Sequence, residues 1–299
     1  MKRSDAIPGH LANDFAYCRD IALARAEESP LCGRFLSRRL KPYWYVICAF
    51  AWTARDFTRL RGSDDDLKLQ LIDDWARRLE QARSGQPDHP ILRAMTHLFA
   101  VTGVPEISFH ELLIACRMDV TNRRHGTLEE LSEYGRFVAA PMGHLLLYLH
   151  QEMGESAEVR LVDKVRHSDA LWTALSWTGY WRDLGHDSRG DGPLYLPEAE
   201  MAAFDVNKEM VLQRRFTPMV GSLVLHLVEE TRARFFAGSP LIEEVGRPLR
   251  MELAYAMERG MMLLERIEAL GGNTLRNRPV LNQWEQMICL WRALGRVSN

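Results

Sequence analysis

Residues 172–197 read WTALSWTGYWRDLGHDSRGDGPLYLP, and the interpretation of the whole chain starts from this stretch. Its first part repeats apolar side chains at helical spacing. Asp183 and Asp187 lie four residues apart, so a helix places them on one face, one turn apart. A loop rich in glycine and arginine follows and leads to Tyr195 and Pro197. The stretch therefore predicts a helix that ends in two carboxylates and is followed by a closing loop.

Two carboxylates on one helical face can each offer oxygen ligands to Mg²⁺, which can then hold the phosphates of a substrate. The alternative is a solvated helix end that binds nothing, which is the usual meaning of an isolated D-x-x-x-D. Acidic side chains in a last turn oppose the helix dipole, so Asp183 and Asp187 need a compensating cation or metal ion. His186 is adjacent to Asp187, but helical geometry turns it away from the face of the pair.

Composition excludes several classes of protein. The chain has 299 residues, of which 46% are hydrophobic, and its 38 lysines and arginines are balanced by 40 aspartates and glutamates. Without a basic excess, no nucleic acid partner is expected. Five scattered cysteines suit a reducing cytoplasm rather than a disulfide framework or a thiolate zinc site. Because no apolar run is long enough to span a bilayer, we expect a cytoplasmic protein that is at most peripheral to the membrane.

Hydrophobic periodicity predicts helices along nearly the whole chain. Several of them, such as 219–227 and 251–264, are apolar over a broad arc, as in helices that sit inside a bundle or line an apolar cavity. The breaks between helices coincide with clusters of glycine and proline, and none is a long linker, which favours one all-α domain. The predicted helices cover residues 11–28, 42–61, 65–84, 88–102, 106–122, 127–138, 142–151, 158–187, 207–237, 240–270 and 279–294.

The order of a helix ending in D-x-x-x-D, a glycine- and arginine-rich loop and Y-L-P resembles the second aspartate-rich motif and flap of the squalene/phytoene synthase family. Each further matching segment is weak alone, but their order and spacing are specific, and the match spans about residues 12–296 of a single domain over 1–299. Its C-terminal part is most similar to the hopanoid-pathway branch that makes hydroxysqualene. The further segments are 29–30, 38–42, 47–51, 116–121, 134–143, 276–281 and 290–294.

The resemblance implies a single-domain isoprenoid synthase bundle around a deep apolar cavity. Members of the family bind allylic diphosphates through Mg²⁺ held by two facing aspartate-rich helices. In the hydroxysqualene branch the substrate is presqualene diphosphate. Loss of diphosphate gives a cation that rearranges and is captured by water. The expected partners are a prenyl diphosphate and, functionally, other enzymes of the isoprenoid pathway.

The first aspartate-rich motif departs from the family pattern. Arg55 and Arg59 stand where the metal-binding carboxylates belong, and Asp56 is one residue off that face. Arginine stays protonated and cannot ligate Mg²⁺. The two arginines either grip the diphosphate directly through forked N–H donors, with fewer metal ions, or pair with Asp183 and Asp187 and close the metal site. A third alternative is that they point outward and pair with surface acids.

Other residues enter the predicted site through the resemblance. Asp119 is a candidate for a phosphate or metal role, with an internal salt bridge as its alternative. Tyr134 matches an active-site position and is a candidate catalytic hydroxyl, or else a packed core tyrosine. Arg189 and Tyr195 lie in the loop that closes over the second motif and are candidates for phosphate contact and flap closure. Arg38 and Arg39 are candidates for phosphate contact.

Three functions remain open from the sequence. The first is ionisation of presqualene diphosphate to hydroxysqualene, a reaction that needs fewer anion sites than the condensation of two diphosphates. The second is transfer of a prenyl group from one allylic diphosphate to a small acceptor. The third is a non-catalytic binding or assembly protein that keeps the fold, and it predicts salt bridges such as Arg55–Asp187.

Overall fold

The computed structural model describes residues 7–25, 31, 33–84, 87–121, 125–152, 161–187, 193–247 and 249–298. Within these residues the regular structure is helical and contains no strand, so the predicted all-α class is confirmed. A short 3₁₀ turn precedes the first helix. The α-helices are α1 Ala12–Ala24, α2 Lys41–Thr58, α3 Asp65–Ser84, α4 Pro90–Thr102, α5 Ile107–Val120, α6 Leu128–Val138, α7 Ala140–Glu152, α8 Leu161–Asp187, α9 Glu198–Ala203, α10 Lys208–Leu212, α11 Pro218–Gly238, α12 Leu241–Glu244, α13 Leu249–Ala269 and α14 Gln283–Ser298.

Two predicted helices are wrong in extent because each is interrupted. The segment 207–237 forms α10 and α11, which are separated by a turn in which Arg214 has a positive φ of 53°. Helix α11 restarts at Pro218, and the Thr217 side chain caps it by accepting from the Val220 N–H. The segment 240–270 likewise divides into α12 and α13. The short helix α9 was not predicted.

Helix α8 lies at the centre of one group of helices. Helices α6, α7, α11 and α13 pack against it, and Trp177 and Trp181 are fully buried there. The Trp181 indole N–H donates to Thr231 Oγ1 of α11 at 2.8 Å, which satisfies a buried polar group. A second group of helices, α1, α3, α4 and α5, packs around α2. Helices α2 and α8 thus form the centres of two halves of the bundle.

No helix in the described part of the chain combines the length and the apolar character that crossing a membrane requires.

Gly185 allows the closest approach to α8. A Cβ at this position would lie 2.1 Å from the backbone oxygen of Leu275, which cannot move as a side chain can. We expect Gly185→Ala to lower the free energy of unfolding by about 3 kcal/mol through overpacking. Urea unfolding measures this loss in the free energy of unfolding. Gly179→Ala is the matched control, because a Cβ there meets nothing within 4 Å and alanine favours a helix by about 1 kcal/mol. Equal stability of the two variants would contradict this account.

Candidate active site

A cavity lies between α2 and α8 and is walled on a third side by α5. One face of α2 and one face of α8 line it at helical spacing, so each helix contributes residues from the floor to the mouth. Both helices run in the same direction, and their C-terminal ends meet at the mouth. The lining residues are Trp44, Cys48, Ala51, Trp52, Arg55, Leu112, Ala115, Cys116, Asp119, Val138, Met142, Trp172, Leu175, Ser176, Gly179, Tyr180, Arg182, Asp183, Asp187 and Tyr195.

The floor of the cavity is aromatic and apolar. Trp44 of α2 meets Trp172 of α8 edge-on with ring centroids 6.1 Å apart. The cavity volume is about 170 Å³, more than ten times the roughly 10–15 Å³ that one water molecule requires. An apolar chamber of this kind suits a hydrocarbon ligand and offers a water molecule few partners.

Asp183, at the mouth, is held by two arginines. Arg182 donates from Nε to Oδ1 at 2.9 Å and from Nη2 to Oδ2 at 2.6 Å. Arg278, from the loop before α14, donates from Nε to Oδ1 at 2.6 Å. Burial would raise the pKa of Asp183, but Arg182 and Arg278 lower it to about 2. Asp183 is therefore a fixed carboxylate at neutral pH.

Asp187 is held less tightly. Arg59 Nη2 lies 3.8 Å from its Oδ1, and His186 Nδ1 lies 3.6 Å from the same oxygen. Contact with His186 differs from the predicted orientation, because the imidazole of this exposed residue bends back toward its neighbour. Burial raises the pKa of Asp187 and Asp183 adds to the rise, while Arg59 and Arg55 oppose it.

Arg55 lies inside the cavity and stacks on Trp52, with its Cζ 5.2 Å from the ring centroid. Burial would lower the pKa of Arg55, but neighbouring groups, including Asp119 and Asp187, raise it overall. The predicted inward orientation is therefore the one that the structure shows. A guanidinium stacked on an aromatic ring keeps its edge N–H donors available for an anion.

Asp56 lies outside the cavity lining, one residue away from Arg55 along α2. It accepts a hydrogen bond from Arg25 Nη2 at 2.6 Å, and its side chain is 46% exposed. The guanidinium of Arg25 also lies over Trp52, 5.5 Å from the ring centroid. The structure thus gives Asp56 a structural partner near the mouth and does not bring it to the site.

Asp119 projects from α5 into the cavity beneath Arg55. Tyr134 donates to Oδ1 at 2.6 Å and Tyr195 donates to Oδ2 at 3.2 Å. Tyr180 stacks on Tyr195, with centroids 3.9 Å apart. Burial raises the pKa of Asp119 to about 6, although the tyrosine hydrogen bonds and Arg55 oppose the rise. The group is a carboxylate at neutral pH that takes up a proton under mildly acidic conditions.

The loop after α8 is anchored where Tyr195 enters the site. The backbone N–H of Glu198 donates to the His125 carbonyl at 2.9 Å, and that of Ala199 donates to the Gly126 carbonyl at 2.8 Å. The rings of His125 and Tyr195 stack with centroids 6.3 Å apart. This docking holds the tyrosine hydroxyl against Asp119.

The two motif aspartates do not fit a divalent metal ion as they are arranged. Both oxygens of Asp183 already accept hydrogen bonds from arginine, whereas Mg²⁺ needs free oxygen lone pairs in a near-octahedral set. In the described ranges, no group of three or more His, Cys, Asp or Glu side chains is placed to hold a metal ion. The cations that compensate this acidic helix end are arginines.

The structure brings together most of the predicted site residues, namely Asp119, Tyr134, Asp183, Asp187, Arg55, Arg59 and Tyr195. Arg38 and Arg39 are exposed and do not line the cavity, and Arg189 lies outside the described residues. The sequence interpretation missed Arg182, Arg278 and Tyr180. Arg182 directly precedes Asp183, so its position beside the motif was a usable signal. Arg278 lies 95 residues from Asp183, and only its presence in a matching segment pointed to it.

Comparison with known proteins identifies the family of this chain. The sequence model of the squalene/phytoene synthase family matches residues 24–285. The chain belongs to the squalene/phytoene synthase family. A hydroxysqualene synthase from Rhodopseudomonas palustris is 27% identical over 221 residues, which cover 74% of this chain and 72% of that protein. A 15-cis-phytoene synthase from Synechococcus elongatus is 24% identical over an alignment that covers 96% of this chain and 94% of that protein.

Solved structures of the family share the fold. The squalene synthase HpnC from Alicyclobacillus acidocaldarius superimposes with a TM-score of 0.76 at 26% identity, over 89% of this chain and 97% of that one. A dehydrosqualene synthase in complex with a ligand gives a TM-score of 0.80 at 22% identity, over 97% and 98% of the two chains. The predicted isoprenoid synthase bundle is therefore confirmed.

Proposed function

We propose that this family member ionises presqualene diphosphate and releases hydroxysqualene and diphosphate. The observation that carries the proposal is the charge of the cavity mouth. Among the described residues, Arg55, Arg59, Arg182 and Arg278 lie there with the carboxylates of Asp183 and Asp187, and Asp119 lies just below them. Four cations against three anions leave an excess positive charge, which matches a leaving diphosphate.

The two helix ends at the mouth explain why arginines gather there. Helices α2 and α8 both end at the mouth, where their dipoles place partial negative charge. Arg55 and Arg59 offset this charge on α2, and Arg182 offsets it on α8. A substrate diphosphate would then join a site whose donors are already oriented, which lowers the reorganisation that ionisation requires.

Breaking the C–O bond of the substrate leaves its electron pair on the diphosphate and a cation on the hydrocarbon. The arginines stabilise the departing anion through forked N–H donors. Below them, Asp119 supplies a carboxylate, and aromatic side chains that include Tyr180 and Trp172 line the chamber in which the cation forms. Attack of one water molecule on the rearranged cation, with loss of one proton, gives the alcohol.

Mg²⁺ has a smaller role in this proposal than in relatives that have two aspartate-rich helices. Binding of the metal ion by both Asp183 and Asp187 would require release of Asp183 from Arg182 and Arg278. The arginines already provide the positive charge that the metal supplies elsewhere in the family. The diphosphate site is therefore proposed to work with fewer metal ions than a site with two acidic helices.

A second candidate, a non-catalytic protein with the same fold, has one observation in its favour. Arg59 and Asp187 approach to 3.8 Å, as a closed metal site predicts. However, Arg55 is stacked on Trp52 in the cavity rather than ion-paired across it to Asp187, and the apolar chamber behind it remains open. Transfer of a prenyl group to a small acceptor is the remaining alternative, and product analysis separates it from the proposal.

The test is incubation of the purified chain with presqualene diphosphate, followed by product extraction. We expect stoichiometric release of diphosphate and a C30 alcohol. Arg278→Gln is expected to lower kcat/KM by about tenfold, because it frees Asp183 to oppose the substrate anion. Arg276→Gln, two residues away and exposed, is the matched control. No turnover at high enzyme concentration would contradict the proposal, and a prenylated acceptor formed from an allylic diphosphate would favour the transferase alternative.

A further inference from the structure

One tryptophan from each of the two central helices closes the floor of the cavity. On α8 the lining residues Asp183, Gly179, Leu175 and Trp172 follow one another at helical spacing from the mouth downward. Trp172 is the first described residue of α8 in the lining, and Trp44 is the first of α2. A helix rises about 1.5 Å per residue, so Trp172 lies roughly 16 Å below Asp183 along α8.

The two rings form a fixed end wall. Trp44 meets Trp172 edge-on, with ring centroids 6.1 Å apart, and both side chains are buried. The indole N–H of Trp44 donates to the Leu31 carbonyl at 3.3 Å, which holds this ring from outside the cavity. A ring that is packed and hydrogen-bonded in this way does not move aside without losing these contacts. The apolar chamber therefore has a defined depth.

Gly143 of α7 lies against the pyrrole edge of the Trp172 ring. A Cβ at this position would lie 2.5 Å from Cδ1 and 2.8 Å from Nε1 of the indole, and it would also overlap Ser168 Oγ. Ser168 lies one turn before Trp172 on α8 and is fully buried, so α7 and α8 pack here without spare room. Glycine at 143 thus lets the ring lie back from the chamber, because any side chain there would push against it.

We propose that Trp172 sets the length of the hydrocarbon that the cavity accepts, and that Gly143 sets the depth at which its ring lies. The inference rests on the proposed binding of a prenyl diphosphate in this cavity, but not on the reaction that follows. When the arginines hold the diphosphate at the mouth, the prenyl chain extends toward the floor. Each isoprene unit gains affinity by leaving water, until the chain reaches the end wall and a further unit finds no apolar space.

Unreactive prenyl diphosphates of increasing length test the inference. The probes are the thiolodiphosphates of geranyl, farnesyl, geranylgeranyl and geranylfarnesyl alcohols, in which sulfur replaces the oxygen of the breaking bond. Calorimetric titration into the full chain gives their affinities, with inorganic diphosphate as the reference. We expect the affinity of the wild type to rise with chain length and to stop rising at one length.

Trp172→Ala removes the end wall. It is expected to raise the affinity for the next longer probe by at least about tenfold, because a further isoprene unit can then be buried. The affinity for inorganic diphosphate should stay within about twofold of the wild type, since the arginines at the mouth are unchanged.

Gly143→Ala should have the opposite effect on long chains. Because the chamber is the open space beside the ring, displacement of Trp172 shortens it, and we expect at least about fivefold weaker binding of the longest probe that the wild type accommodates. The double variant Gly143→Ala, Trp172→Ala should not show this loss, because the displaced ring is absent. Gly179→Ala is the matched control: it adds a methyl group to the same cavity wall, but its Cβ meets nothing within 4 Å.

The same length dependence in the wild type and Trp172→Ala would overturn the inference, whether or not Gly143→Ala folds. A loss in Gly143→Ala that persists in the double variant would also overturn it, since the ring would then not be the cause. If the wild type binds no prenyl probe more tightly than inorganic diphosphate, the inference and the prenyl diphosphate site both fail. A shifted length limit in a protein that does not convert presqualene diphosphate would support the inference and contradict only the proposed reaction.

Discussion

Replacing Arg55 and Arg59 together with glutamine is expected to lower kcat/KM for presqualene diphosphate by about 10³-fold, equivalent to about 4 kcal/mol. Both side chains lie at the mouth of the cavity, one stacked on Trp52 and the other facing Asp187. Their removal leaves only Arg182 and Arg278 of the four described arginines at the mouth, where Asp183 and Asp187 repel the departing diphosphate. Steady-state assay of diphosphate release measures the effect.

Arg61→Gln is the control for loss of positive charge, because Arg61 lies just beyond α2 and is exposed. It should retain activity within about twofold, as distant surface charges are screened. Arg55→Lys distinguishes charge from geometry, since lysine keeps the charge but loses the forked donors. Full activity in the double glutamine variant would mean that the arginines are not the anion site.

Asp119→Asn is expected to make the protein more stable at pH 7 and less active. The folded-state pKa of Asp119 is raised to about 6 from 3.8, so the folded protein binds this proton more tightly than the unfolded chain. Wild-type stability is therefore lost as pH rises from about 4 to about 6, by at most about 3 kcal/mol at 1.36 kcal/mol per pKa unit. Partial exposure of the side chain lowers this maximum.

Urea unfolding at pH 7.5 and pH 4 measures the difference in stability between Asp119→Asn and the wild type. The stability gain of Asp119→Asn should be present at pH 7.5 and absent at pH 4, where the wild-type carboxyl is protonated as well. Activity at pH 7.5 should fall by about 10²-fold, because the variant offers the cation no carboxylate. Asp20→Asn, at an exposed acid on α1, should change neither quantity. A stability gain that is independent of pH would show that the carboxylate is not the cause.

Most helices follow from periodicity and from glycine and proline breaks, because those signals are local. The start of α3 is an example, since aspartate before an apolar-periodic segment is a common N-cap and Asp64 Oδ1 accepts from the Leu67 N–H at 2.8 Å. The interruption before α11 was harder to see, because 207–237 keeps an apolar pattern through the turn at Arg214. The Thr217–Pro218 pair was the available signal for a new helix start.

For the site, helical spacing predicts only which residues share one face of a helix. Spacing puts Asp183 with Asp187 and Arg55 with Arg59 on one helical face each. That the two faces meet came from the family resemblance, and the structure places them on either side of the cavity mouth. What the aspartates bind could not be read from spacing. Arg278 reaches Asp183 from a loop distant in sequence, and the rotamer of Arg182 decides whether it pairs with its neighbour or with solvent. Arg38 and Arg39 were misplaced because a segment match fixes no side-chain direction.

The central claim is that arginines, rather than a metal-bound pair of aspartates, hold the diphosphate. Calorimetric titration of inorganic diphosphate into the protein in the presence of EDTA tests it most directly. We expect the wild type and Arg61→Gln to bind diphosphate alike without metal, and the Arg55→Gln, Arg59→Gln variant to bind at least about tenfold more weakly. Binding by the wild type only after Mg²⁺ is added, or equal binding by the double variant, would contradict the claim.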